Sequence, residues 1–130
     1  MIENNIKYQN TLENISPKML DSFCVGWSKP LDGEKIFAIL ENSYKFSLAM
    51  DNKKVVGFVQ AISDKVKFAF IPMLEVLPEY QGKGIGTELM KNILSQLECI
   101  DNIDLICDAE LQPYYEKLGM MKYTGMVIRK

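Results

Sequence analysis

Hydrophobic positions recur along this chain with two periods, and the change from one to the other divides it into elements. After a short extended segment near Asn5 to Asn10, Ser16 and Pro17 form a helix start, with Ser16 as cap and Pro17 in the first helical position. Met19, Leu20 and Phe23 then share one face. Residues 26–33 form a loop between two glycines that holds Trp27 and Pro30. A second helix follows Asp32, with Ile36, Phe37, Ile39 and Leu40 as its apolar side. The period then drops to two. Tyr44, Phe46, Leu48 and Met50 alternate with Lys45, Ser47, Ala49 and Asp51, the signature of a half-buried strand. Val55 to Ile62 is almost continuously apolar, so that strand is predicted to be covered on both faces. The turns between these strands fall at Asp51-Asn52-Lys53 and Ser63-Asp64-Lys65.

A long extended stretch follows from Lys67 to Leu77, broken by Pro72. Proline has no N–H to give to a strand ladder, so Pro72 marks an edge or a bulge. A glycine-rich loop comes next. Ile85, Leu89, Ile93 and Leu97 then repeat at helical spacing to about Glu98. Ile103 to Cys107 reads as a buried strand and Pro113 to Leu118 as a short helix, with Gly119 placed to cap it. The tail from Lys122 to Ile128 reads as extended. Strands joined by tight turns pair antiparallel, and the strand–helix–strand unit around the glycines implies one parallel pair. The expected fold is therefore α/β (α+β): one mixed, mostly antiparallel sheet flanked by helices, in a single domain over residues 1–130.

Composition narrows the chemistry. The chain is 48% hydrophobic and 25% charged, ordinary for a soluble globular domain, with a net charge of -2. That charge argues against a nucleic-acid partner, which needs a basic surface. There is no histidine. Ser-His-Asp and Cys-His nucleophile systems and histidine zinc sites are thereby excluded, and no metal is expected. Cys24, Cys99 and Cys107 are widely spaced and lack a C-x-x-C pair, which suggests reduced, buried thiols in the cytoplasm. Neither a secretion signal nor an apolar run of membrane-spanning length is visible.

Three glycines, Gly82, Gly84 and Gly86, follow a predicted strand and open a predicted helix. Glycine admits positive φ and a close ligand, and a helix start offers unpaired N–H groups with partial positive charge. A phosphate fits there, and Lys83 adds a positive charge. The spacing does not match a nucleotide triphosphate loop. Thr87 stands where a dinucleotide fingerprint would carry its third glycine, and the preceding segment ends a meander instead of opening a βαβ unit.

The run Val76-Leu77-Pro78-Glu79-Tyr80-Gln81-Gly82-Lys83-Gly84-Ile85-Gly86 resembles the signature of the GNAT superfamily of N-acetyltransferases, Gln/Arg-x-x-Gly-x-Gly/Ala after a strand. A second run, Tyr114-Tyr115-Glu116-Lys117-Leu118-Gly119-Met120, resembles that family's F-Y-x-x-x-G-F element, with Tyr and Met in place of the outer phenylalanines. The resemblance covers nearly the whole chain. It implies acetyl-CoA as co-substrate, with the pyrophosphate on the backbone N–H groups of Gln81, Gly82, Lys83, Gly84, Ile85, Gly86 and Thr87. It implies that Leu74, Glu75 and Val76 lie along the pantetheine arm, with a backbone N–H near Leu74 polarising the thioester carbonyl. Tyr114 falls in the cofactor-binding set. Tyr115 matches the position of the general acid.

The implied reaction moves an acetyl group directly onto an amine, which must lose a proton before it attacks. Without histidine the candidate bases are Glu75, Glu41 and Asp64, with Glu75 first by its nearness to the thioester. Trp27 and Tyr44 are candidates for the acceptor pocket, expected around the loop of residues 26–33 and the N-terminal helices. The acceptor is expected to be a small-molecule or peptide amine. No membrane partner is expected, and a homodimer through the C-terminal tail is compatible with a free strand edge. A protein that holds acetyl-CoA as a sensor without catalysis is the alternative reading, and a dinucleotide-binding domain is a further rival.

Overall fold

The computed structural model describes residues 5–24 and 26–130. Strand β1 (Ile6–Gln9) is followed by a short 3-10 helix at Pro17–Leu20 and by helix α1 (Gly33–Glu41). Strands β2 (Lys45–Asp51), β3 (Lys54–Ser63) and β4 (Phe68–Val76) form the meander that the period-two pattern predicts. A 3-10 turn at Pro78–Tyr80, helix α2 (Ile85–Gln96), strand β5 (Asn102–Asp104), a 3-10 turn at Ala109–Leu111 and helix α3 (Gln112–Glu116) follow. The five strands lie in sequence order in one sheet; β1 to β4 pair antiparallel and β5 pairs parallel to β4. Among the described residues no helix is long and apolar enough to cross a membrane.

The two faces of the sheet follow from strand alternation. Gly57, Val59 and Ala61 face α2, whose Ile85, Leu89, Met90 and Ile93 are buried against them. Phe58 faces the other way and stacks edge-on with Phe23, their ring centroids 5.0 Å apart. Ile36 and Leu40 of α1 and Leu20 of the 3-10 helix are fully buried in the same core. Each such side chain contributes roughly 1.5–3 kcal/mol of hydrophobic stabilisation.

The 3-10 helix and α1 are joined by a close approach at Gly33. A Cβ there would stand 1.9 Å from the carbonyl oxygen of Pro17, and the Gly33 N–H donates to Asp21 Oδ1 at 2.7 Å. Asp32 caps α1 by accepting from the Lys35 N–H at 2.9 Å. At α3 the cap is as expected. Gly119 has φ of 95°, its N–H donates to Glu116 and the next N–H, of Met120, donates to Tyr115, the Schellman arrangement.

Several expectations fail. The first helix is only a 3-10 turn, because its apolar positions Met19, Leu20 and Phe23 do not continue for a second turn. β5 is three residues long instead of five, and the tail beyond Met120 forms no strand at all. The pattern there supplies apolar side chains, but no neighbouring strand is in register with them. Of the three cysteines only Cys24 is buried; Cys107 is half-buried and Cys99 is exposed in the turn after α2.

Candidate active site

β4 is built in two halves with Pro72 between them. Gln60 pairs with Met73 and Ile62 with Phe70, so Ala61 alone faces Ile71 and Pro72. This is a bulge, placed where a residue without an N–H costs the ladder least. Before it, Phe68, Ala69 and Phe70 pair with Asn102, Ile103 and Asp104 of β5. After it, β4 runs on to Val76 paired to β3 alone, and its unpaired edge past the end of β5 is the cleft of this fold.

Backbone alternation decides what lines that cleft. The Leu77 N–H donates to the Val56 carbonyl at 2.9 Å, so Leu77, Glu75 and Met73 turn their backbone groups toward β3. Leu74 and Val76 therefore turn theirs toward the cleft. The Val76 carbonyl there accepts from Gln81 Nε2 at 3.0 Å. This bond ties the start of the glycine loop to the strand that leads into it.

In the loop, Gly82 and Gly84 have φ of 76° and 85°, a left-handed conformation that strains other L-residues. Gly84 caps α2 and brings no side-chain acceptor, so the first N–H groups of α2 point outward unclaimed by a cap. From the N-terminal side the loop is held by Tyr80, whose hydroxyl donates to Asp51 Oδ2 at 2.6 Å in the β2–β3 turn. That hydrogen bond pushes the Tyr80 phenol pKa up. Tyr114 closes the other side. Its hydroxyl is 3.1 Å from Thr87 Oγ1 and 3.6 Å from the place a Cβ on Gly86 would take.

Two titratable groups, Glu75 and Tyr115, lie within electrostatic reach of one another. Glu75 lies in the same cross-strand row as Phe58, on the face away from α2, and burial raises its carboxyl pKa. Tyr115, half-buried on α3, has its phenol pushed up to about 12. Burial is the largest cause, followed by Tyr114, Cys107 and Glu75. Glu75 also helps raise the pKa of Cys24, after the larger effect of burial. Cys24, at a φ of 65°, stands at the base of the loop that carries Trp27, whose N–H donates to the Cys24 carbonyl at 3.2 Å.

The other predicted site residues separate. Trp27 is exposed in its loop. Tyr44 lies at the opposite end of the sheet, with its N–H on the Ala61 carbonyl and its ring beneath the ammonium groups of Lys45 and Lys65. It is about four residues of strand, roughly 13 Å, from the Glu75 row. Asp64 is a turn residue: one carboxylate oxygen accepts the N–H groups of Val66, Lys67 and Phe68, which lowers its pKa and suits it poorly to take a proton. Glu41 is exposed at the end of α1. Cys24, Cys107 and Asp51 join the site without any mark in the sequence. Their spacing carries no motif, and only the fold brings them to Glu75, Tyr115 and Tyr80. Among the described residues no three Cys, Asp or Glu side chains gather as a metal-binding set.

The Acetyltransferase (GNAT) family model matches residues 12–120. The chain belongs to the GNAT family of acetyltransferases. Its relatives include the uncharacterized N-acetyltransferase ycf52 of Pyropia yezoensis, 34% identical over a 123-residue alignment that covers 88% of this chain and 70% of that protein. Among solved structures, a candidate acetyltransferase from Deinococcus radiodurans R1 is 37% identical, with a TM-score of 0.95 over 98% of this chain and 90% of that one. A GNAT family acetyltransferase from Streptococcus pneumoniae TIGR4 is 29% identical, with a TM-score of 0.74 over 96% of both chains. The mixed sheet and its bulged fourth strand are accordingly a GNAT fold.

Proposed function

We propose that this GNAT chain is an acetyl-CoA-dependent N-acetyltransferase, a single domain over residues 1–130, that passes an acetyl group directly from the CoA thioester to a primary amine of a small molecule or peptide. The observation that carries this reading is the half-paired β4, which leaves the Leu74 backbone groups and the Val76 N–H open and leads, through a 3-10 turn at Pro78–Tyr80, into a loop with two left-handed glycines. An extended thioester arm fits the first feature as an added strand. A pyrophosphate fits the second, each hydrogen bond to charged oxygen contributing roughly 1.5–3 kcal/mol. Gly82 to Thr87 supply those donors, the Gln81 N–H being held by the Pro78 carbonyl; Lys83 adds a further charge, and Tyr114 backs the loop.

The Leu74 N–H polarises the thioester carbonyl. Glu75 takes the proton from the amine; its raised pKa brings it nearer to neutrality, where a base works best. Tyr115 donates to the departing sulfur. A phenol pushed up to about 12 keeps its proton at working pH, and full transfer to a thiolate whose thiol has a pKa near 8.5 is uphill. Tyr115 therefore acts first as a hydrogen-bond donor to the sulfur. Transfer is completed as the proton taken up at Glu75 is returned. The loop bearing Trp27 forms the near wall of the acceptor site, and Tyr44 contacts only the far end of a long acceptor. A thiol-release assay with acetyl-CoA across amino acids, polyamines, aminoglycosides and peptides should give turnover on one class. Binding of acetyl-CoA with no turnover on any of them defeats the reading.

A further inference from the structure

Burying an amide without a partner for each end is costly, so a side chain that does so calls for a reason. Gln60, in the middle of β3, is 2% exposed, and its Oε1 has no hydrogen-bond partner among the described residues. The other end of the amide is fixed. Nε2 donates to Ser43 Oγ at 2.9 Å, and Ser43 Oγ donates in turn to the Ile39 carbonyl at 2.7 Å. A hydroxyl has one proton, so Ser43 can only accept from Gln60, and the carboxamide is held with its oxygen free.

Strand alternation sets Gln60 beside the site. It shares the face away from α2 with Phe58, two residues back, and is paired with Met73. Glu75, paired with Phe58, is therefore its diagonal neighbour, roughly 7–8 Å away between Cβ atoms. Met73 is 9% exposed, and its unbranched side chain repacks easily. In the opposite direction the same face continues to Ile62, paired with Phe70. Ile62, Phe68, Phe70 and Asp104 are among the residues that line an open hollow of about 340 Å³ there. Ile62 is 46% and Phe68 52% exposed. Glu75, Gln60 and the hollow thus follow one another along one face.

We propose that Gln60 selects the acceptor. Its free oxygen, uncovered when Met73 turns aside, accepts a hydrogen bond from a second N–H on the amine substrate, and the hollow takes an apolar group beyond it. The chemistry that fits is the N-terminal end of a peptide with an apolar second residue. Its amine meets Glu75. The next peptide nitrogen lies roughly 3.6 Å further on, and a hydrogen bond at each end covers the rest of the gap. Such selection rests on the acetyl transfer proposed above for the cleft.

A matched pair of peptides tests it: alanyl-leucine amide, and the same peptide with a methyl group on its peptide nitrogen. Thiol release at saturating acetyl-CoA gives KM for each. In the parent, methylation should raise KM roughly tenfold, through the loss of one hydrogen bond to a buried acceptor. Gln60→Met should raise KM for the unmethylated peptide by the same factor, and methylation should then cost nothing more, while the far-ultraviolet circular dichroism stays that of the parent. A variant with the KM of the parent means that a resident water completes Gln60, and overturns the proposal. So does a methylation effect that survives in the variant. Should the variant misfold, the parent decides alone, since equal KM values for the two peptides overturn the idea. Turnover of other amines but of neither peptide also overturns it and leaves acetyl transfer standing. A chain that turns over no amine at all fails as a transferase and takes this proposal with it.

Discussion

The two halves of β4 share one strand and do opposite things. From Phe68 to Phe70 it is an interior strand, paired on both sides. From Met73 to Val76 it is paired on one side only, and its other edge faces a cleft. A single extra residue at the Ile71–Pro72 bulge separates the two behaviours. An unpaired backbone edge is ordinarily a liability in a sheet. Here it leads into the glycine loop, so the groups left open are the ones that the proposed thioester arm would pair with.

The largest expected effect that could break this comparison is at Tyr115. Tyr115→Phe should lower kcat by roughly 10²–10⁴ while calorimetry finds acetyl-CoA affinity nearly unchanged. Unaltered turnover would remove Tyr115 from the chemistry. Next is deletion of Pro72, which removes the extra residue so that β4 keeps its register with β3 without a bulge, and its second half no longer parts from β5. With the Leu74 N–H no longer open, kcat should fall roughly 10²–10³-fold, and acetyl-CoA binding should weaken with it. A deletion variant of intact circular dichroism and full binding would mean that the bulge does not shape the cleft.

The smallest effect concerns Glu75. Because its folded pKa is raised, the protonated form is favoured in the folded state, and the ionised form destabilises the fold as pH rises through that raised value. Glu75→Gln should therefore raise the melting temperature at neutral pH and not at pH below the ordinary carboxylate range. It should also remove the acidic limb of the pH–kcat/KM profile. A profile of unchanged shape would assign the base elsewhere.

Much of the open half is legible in the amino-acid sequence. Pro72 announces a bulge because proline lacks an N–H, and the glycines at a strand–helix junction announce a left-handed loop with open helix N–H groups because their backbone chemistry is local. Glu75 ranks first among the carboxylates for a reason of position, and its burial fits that rank. What is not legible depends on distant neighbours. Gly33 is glycine because Pro17 stands 1.9 Å from where its Cβ would be, and no local pattern tells of that contact. Asp64 reads as a free carboxylate, whereas the turn places three N–H groups on it. The tail from Lys122 to Ile128 has apolar side chains suited to a strand, but a strand needs a partner in register, and among the described residues it has none.

The hydrogen bond from Tyr80 to Asp51 has a thermodynamic consequence for whatever the glycine loop receives. A loop rich in glycine is ordinarily among the most mobile segments of a protein, and fixing each residue of it costs about 1–2 kcal/mol in lost conformational entropy. This loop is fastened at its entry by Tyr80 and Gln81 and closed off on its other side by Tyr114 against Thr87. Part of that freedom is surrendered during folding, so the proposed ligand would meet a site already in shape and lose less of its contact energy to ordering the loop.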